Sequence, residues 1–272
     1  MTLIALLTDF GLRDTYVGQM KLVIAGIAPG VPVVDLGHGV EPQQVREGAW
    51  LLETAVPFLP EGAVVVAVVD PGVGTARLPI VVRAAGRFFV GPDNGLLSGA
   101  FPPEARRGAS PGSSRVSVPP GIEVRSIDLA RFALPNVSAT FHGRDVFAPA
   151  AAHLASGVPF QGIGPRLAEV SVLPPFEGVR LEDGRLQGEV IHVDRFGNLI
   201  TTIRAEQLPA RCQARVGAFE RIPFARTFAE VAPGAPLCHV DSSGFLAIAV
   251  RDGSAAERFG VGLGAPVEVE EA

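Results

Sequence analysis

Apolar positions recur along this chain in two rhythms. In the N-terminal part, unbroken apolar runs alternate with stretches of helical period. Leu3 to Leu7 closes on Thr8-Asp9-Phe10-Gly11, and Tyr16 to Ala28 carries Val17, Met20, Val23, Ile24 and Ile27 before Pro29-Gly30 stops it. Val31 to Val34 closes on Asp35, with His38 three residues on, and Gln44 to Phe58 sets Ala49, Leu52 and Val56 on one helical face. Ala63 to Val69 is a run without a polar residue, as a strand buried on both faces requires, and it closes on Asp70-Pro71-Gly72. Strand, helix, strand, helix, strand means consecutive βαβ units, a parallel sheet and right-handed crossovers.

Further on, Pro79 to Ala84 and Arg87 to Val90 read as strands around a tight Ala85-Gly86 turn. Gly91 to Gly95 is a turn cluster, strongest at Asn94-Gly95, and a plain turn suffices for Asp93. Residues 105–121, rich in Gly, Ser, Pro and Arg, read as a mobile surface loop. An alanine-rich helix from about Val146 to Ser156 has Asp145 as expected N-cap and Gly157 as stop, with His153 a packing or surface residue. Beyond a Pro-rich linker the rhythm changes. Leu186 to Val193, Leu199 to Ile203, Ala214 to Phe219, Leu237 to Val240, Phe245 to Val250 and Pro266 to Val269 are short runs between turns, without a convincing helix.

The expected architecture is an α/β N-terminal domain with a mainly parallel, Rossmann-like sheet, followed by a smaller all-β barrel or sandwich. Its boundaries fall at residues 1–165, a linker at 166–180, and 181–272.

Composition narrows the function classes. A net charge of −5 and no basic cluster argue against a nucleic-acid surface. No apolar run reaches the roughly 18 residues of a membrane span, and the first residues lack the features of a signal peptide. Cys212 and Cys238 have neither metal-ligand spacing nor a disulfide framework, so a reducing cytoplasm is expected. Lys21 is the only lysine.

Candidate chemistry gathers at the strand ends. Asp9, Asp35 and Asp70 each close a strand, and in a parallel sheet those ends share the rim where ligands bind. Capping of the next turn is the alternative for each acid singly. Gly72 and Gly74 let backbone approach a ligand, and Arg77 lies seven residues after Asp70, near enough to fold back onto it. A structural Asp–Arg pair closing a loop reads equally well. His142 precedes a helix, where the dipole disfavours the imidazolium and leaves a neutral ring able to relay a proton. Asp194 to Asn198 and Asp241 to Gly244 interrupt the β domain, and ordinary hairpin connections account for both.

Six motifs in order carry a resemblance that spans nearly the whole chain: LLTDFG at 6–11, VVDPGVGTAR at 68–77, GPDNG at 91–95, TFHGRD at 140–145, VDRFGN at 193–198 and SSGFLAIAV at 242–250. Together they resemble the S-adenosylmethionine hydroxide adenosyltransferases, relatives of the bacterial fluorinase and chlorinase.

The resemblance implies hydrolysis of S-adenosyl-L-methionine at ribose C5′ by in-line attack of activated water, giving adenosine and methionine. It places the catalytic set on Asp70, Arg77 and His142, and the ribose acid on Asp9. Asp194 would meet the methionine ammonium, Phe196 the adenine face, Asn198 an adenine edge and Ser242 the methionine carboxylate. Ser243 and Val250 complete the substrate-binding set. It also implies a homotrimer whose site joins the N-terminal domain of one subunit to the C-terminal domain of the next. Asp70, Val73 and Gly143 depart from the fluorinase pattern, which argues against fluoride transfer; chloride transfer stays as an alternative, as does a non-catalytic nucleoside-binding module. No cofactor and no metal are expected, because a sulfonium leaves as a neutral thioether and needs neither an acid nor a Lewis acid.

Overall fold

The computed structural model describes residues 2–110 and 112–272; Met1, and Pro111 within the expected 105–121 loop, lie outside the described residues. The most apolar runs become the most buried strands. β1 (Ile4–Thr8), β2 (Val33–Gly37) and β3 (Val64–Val68) are parallel in the order β2-β1-β3, and β1 and β3 are buried at every position. The crossovers are α1 (Tyr16–Ile27) and α2 (Val45–Ala55). β4 (Pro79–Ala84) and β5 (Arg87–Pro92) form the expected hairpin, with β5 parallel to β3. Ile4, Leu6, Val64 and Val66 pack with residues of α1 and of α3 (Ala148–Ala155), while Gly48 of α2 sits against Val69 and Leu96. Helices thus cover both faces, as a buried parallel sheet requires.

Several stretches differ from expectation. Asp35 does not end a strand: it lies within β2, paired with Leu6. Because β2 is the sheet edge, Asp35 is exposed and pairs with Lys21 and His38. The 105–121 stretch holds β6 (Ser114–Ser117), paired with β9 (Glu169–Val172). Its Ser and Arg residues mask the strand, and buried Asp93 fastens it by accepting from Arg115 at 2.8 Å and the Ser171 N–H at 2.7 Å. Asp145 is not an N-cap. It sits inside a π-helical turn, Gly143–Phe147, that precedes α3, and its carboxylate accepts from the Ser138 N–H at 2.8 Å and from Arg144 at 2.6 Å.

After β7 (Glu123–Ser126), residues 166–180 are not bare linker: β8 (Arg166–Leu167) pairs with β7, and β9 belongs to the same unit. The chain divides into Met1–Pro175 and Phe176–Ala272. In the second unit β10 (Val179–Arg180) flanks β11 (Leu186–Val193), and β12 (Leu199–Arg204) follows. β13 (Cys212–Val216) and β14 (Phe219–Pro223) are a hairpin around Gly217, where a single 214–219 strand was expected. β15 (Pro236–Val240), β16 (Phe245–Val250) and β17 (Pro266–Glu271) complete an antiparallel sheet ordered β14-β13-β17-β11-β12-β16-β15. A bridge between Phe224 and Cys238 nearly closes it into a barrel. One short helix, Ala255–Phe259, is present where none was expected, capped by Ser254, whose hydroxyl accepts the Glu257 N–H.

Candidate active site

Asp70 follows the last buried turn of β3, where the chain leaves the sheet. The loop after it is held by its own polar groups. The Val73 N–H donates to Asp70 O at 3.2 Å, and the Thr75 hydroxyl donates to Gly72 O at 2.7 Å. Gly74 adopts a left-handed φ of 79°, and a Cβ there would stand 2.8 Å from Ala139 O. Glycine is required on both counts. The loop so folded returns Arg77 to Asp70. Nε donates to Oδ1 at 3.0 Å and Nη2 to Oδ2, with the two side chains 10% and 5% exposed. Arg77 also lies over the Phe147 ring, 5.3 Å from its centroid.

The same Nη2 is 2.8 Å from His142 Nδ1. A guanidinium only donates, so Nδ1 carries the lone pair and the proton of a neutral imidazole sits on Nε2. Burial first, then the neighbouring Arg77 charge, lowers the His142 pKa from its ordinary 6.5, so the neutral form is favoured. The ring's lone pair is thus engaged by Arg77, and Nε2 presents an N–H.

Asp9 ends β1 on the same rim. Its Oδ2 accepts the Gln43 N–H at 2.9 Å. Burial, with a contribution from the Asp70 charge, raises its pKa above 3.8 even though the Gln43 N–H opposes the shift. Asp9, Gln43, Asp70 and His142 line one cleft of about 380 Å³ together with Phe10 and Tyr16. Phe10, Tyr16 and Phe141 pack edge to face at 5.1–6.0 Å between centroids. Gly143 lies under Phe10, whose ring a Cβ would meet at 3.0 Å.

The structure therefore brings together Asp9, Asp70, Arg77 and His142. Asp35, the third strand-end acid, is outside the cleft. In the second unit, Asp194, Phe196 and Asn198 form the β11–β12 connection. The Asp194 carboxylate accepts the Phe196 and Asn198 N–H groups at 2.9 Å and the Asn198 side chain at 2.8 Å. Phe196 is 77% exposed and Asn198 8%. Val250 is buried in the barrel core. Ser242 and Ser243 sit exposed in the β15–β16 connection, which Asp241 organises by accepting the Ser243 and Phe245 N–H groups. Because Leu199 pairs with Ile248 and Arg204 with Phe245, the two connections lie at opposite ends of the β12–β16 pair.

Four contributors carried no sign of a place at the site in the residue pattern. Gln43 reaches Asp9 through its backbone and holds a left-handed φ of 67°. Phe10 and Phe141 face the cleft from segments that read as loops. Asn94, read as a turn residue, donates from Nδ2 to Val69 O at 2.9 Å and so pins the strand end that presents Asp70. Among the described residues no group of His, Cys, Asp and Glu is arranged to hold a metal ion, and no helix is long and apolar enough to cross a membrane.

Comparison with known proteins agrees with this geometry. Residues 4–164 match the model of the SAM hydroxide adenosyltransferase N-terminal domain, and residues 188–268 that of its C-terminal domain. The chain is 46% identical to the (R)-S-adenosyl-L-methionine hydrolase of Thermus thermophilus over 97% of each chain. A more distant relative is the fluorinase of Actinopolyspora mzabensis, 29% identical over 98% of this chain and 96% of that one. The crystal structure of an uncharacterized conserved protein from Thermotoga maritima superposes with a TM-score of 0.84 at 37% identity, covering 98% of this chain and 99% of the other.

Proposed function

The chain belongs to the SAM hydroxide adenosyltransferase family, and from that premise we propose that it is an S-adenosyl-L-methionine hydrolase. Water attacks ribose C5′, the C5′–S bond breaks with its electron pair leaving on sulfur, and adenosine, L-methionine and one proton are released. The relative from Thermus thermophilus is named for the (R) form of this substrate. We take that sulfonium configuration as the substrate here, since it decides where the methyl group and the methionine arm project when the C5′–S bond is in line with the water.

The observation that carries the reading is the closed Asp70–Arg77–His142 set opening on the same cleft as Asp9. A neutral thioether leaves without an acid, so the missing ingredient is a positioned nucleophile. Arg77 holds the Asp70 carboxylate in one orientation through two hydrogen bonds, leaving oxygen lone pairs to orient the water and receive its proton. His142 accepts from Arg77 through Nδ1 and offers Nε2–H. The three act as one unit, with Asp70 as the group that faces the proton. Asp9 suits a ribose diol, since a carboxylate accepts from both hydroxyls.

The hairpins of the second unit complete the site from a neighbouring copy in a homotrimer, within the cytoplasm. Exposed Phe196 offers an adenine-stacking face at one end of the β12–β16 pair, and the exposed serines lie at the other end. Asp194, engaged by its own turn, keeps lone pairs for the methionine ammonium.

Incubation of the purified protein with each S-adenosylmethionine epimer, with and without chloride, tests the reading by chromatography and mass. Adenosine plus methionine, lost in Asp70→Ala, is the expected result. Intact substrate recovered from a saturated protein would overturn it in favour of a binding module, and 5′-chloro-5′-deoxyadenosine would redirect it to chloride transfer. Light scattering at three times the 28.4 kDa chain mass is expected for the trimer, and a monomer would sink the shared site.

A further inference from the structure

Asp35 and His38 lie outside the cleft, yet they reach it. His38 is 5% exposed, and its ring joins two polar groups: Nε2 is 3.0 Å from Asp35 Oδ1, and Nδ1 is 2.8 Å from Thr8 Oγ1. Asp35 also accepts from Lys21 Nζ at 2.7 Å. Thr8 Oγ1 accepts the Phe10 N–H at 3.2 Å, and the Gly11 N–H donates to His38 O at 2.7 Å. The turn that carries Asp9 is thus held by His38 on both sides of that residue.

His38 Nε2 faces the Asp35 carboxylate at ion-pair distance, and Nδ1 shares a proton with the Thr8 hydroxyl. The Thr8 oxygen also takes the Phe10 N–H. Phe10, Thr8, His38 and Asp35 thus form one continuous chain of polar contacts. From the other direction Gln43, in its left-handed conformation, aims its N–H at Asp9 Oδ2. Residues 38–43 grip residues 8–11 at three points.

We propose that Asp35, His38 and Thr8 are a positioning relay that fixes the 8–11 turn so that Asp9 is presented to the ribose hydroxyls of the substrate. The proposal rests on the nucleoside reading of the cleft. None of the three touches substrate; they act through Asp9. A carboxylate that must meet two hydroxyls at once tolerates little error in placement, and the relay supplies that placement from the sheet edge.

The test is calorimetric binding of adenosine and of 2′,3′-dideoxyadenosine, with melting temperature measured alongside. Wild type is expected to favour adenosine by at least about 10-fold, because the site's acceptors are left unmatched by the dideoxy form. Thr8→Val and Asp35→Ala are expected to cut that preference several-fold while leaving dideoxyadenosine affinity unchanged. Thr8→Ser, which keeps the hydroxyl, restores it. If Thr8→Val fails to fold, Asp35→Ala at the exposed edge carries the measurement. A lower melting temperature with the wild-type preference intact in both variants overturns the relay, leaving a structural cluster. A wild type that binds both equally overturns the diol role of Asp9 and the relay with it, whereas a wild type that binds neither overturns the nucleoside reading itself.

Discussion

Asp70 and Asp194 stand in motifs of equal visibility, and the chain uses them differently. Asp70 is bound by Arg77, which is bound by His142, 65 residues further along. Asp194 is bound by Phe196 and Asn198, within its own turn. The first acid sits at the rim of a parallel sheet, where successive strand ends converge from distant parts of the chain. The second sits in an antiparallel hairpin, whose nearest polar groups are its own backbone N–H donors. The lesson is that an acid's chemistry is set by whether its partners are local or brought by the fold. Local partners satisfy it as a turn former; remote partners make a charge network that the loop alone would not hold.

The sharpest break of that comparison is removal of the remote network. Asp70→Asn is expected to reduce turnover by about 10³-fold or more, with His142→Asn and Arg77→Ala losing similar amounts. The Asp70→Asn/His142→Asn double variant is expected to lose little beyond either single one. Single losses that differ widely, or that multiply in the double variant, would show independent groups.

The next effect is on pH. Burial and Arg77 lower the His142 pKa, so the neutral ring persists as pH falls past 6.5 and the acid limb of turnover lies below that value. Arg77→Ala removes one of the two lowering causes, so in its residual activity the limb moves to higher pH. A limb that stays in place would detach His142 from the unit.

Asp9 offers a smaller, opposite-signed test. Its pKa is raised above 3.8, so the native state holds that proton more tightly than the unfolded chain does. The ionised group therefore costs stability at pH above its folded value, and this cost vanishes below 3.8. Asp9→Asn is expected to melt higher than wild type at neutral pH, with the gap closing in acid, while adenosine binding is lost. A lower melting point at neutral pH would mean that the carboxylate is held more favourably than its burial implies.

The smallest expected effect belongs to Asp194. Asp194→Asn keeps an oxygen for the two turn N–H groups, so stability should change by less than about 0.5 kcal/mol, whereas Asp194→Ala should cost about 1–2 kcal/mol. If Asp194→Asn keeps wild-type stability but raises KM tenfold, the acid serves the substrate as well as its turn; an unchanged KM confines it to the turn.

Much of this was legible beforehand where the pattern was local. The apolar runs of β1 and β3 and the Ala85-Gly86 hairpin follow from periodicity and turn chemistry, as does the stop at Gly157. Asp35 misled because an edge strand and a buried strand look alike when each is four or five apolar residues long. β6 was hidden because its pairing with β9 is supplied by Asp93 and backbone rather than by side-chain hydrophobicity. Asp145 has an N-cap's position, but a π-helical turn moves the helix start past it.

By itself the amino-acid order determined the βαβ rhythm, the change to an all-β unit and the residue types at the rim, because these depend on period, turn propensity and burial within short windows. Tertiary structure alone decided that Arg77 takes the His142 lone pair, that Gln43 reaches Asp9 through its backbone, and that His38 ties the sheet edge to the cleft. Those contacts join residues 30 or more positions apart, and a pair so distant is specified by how the whole sheet packs, not by any stretch that contains one of its members.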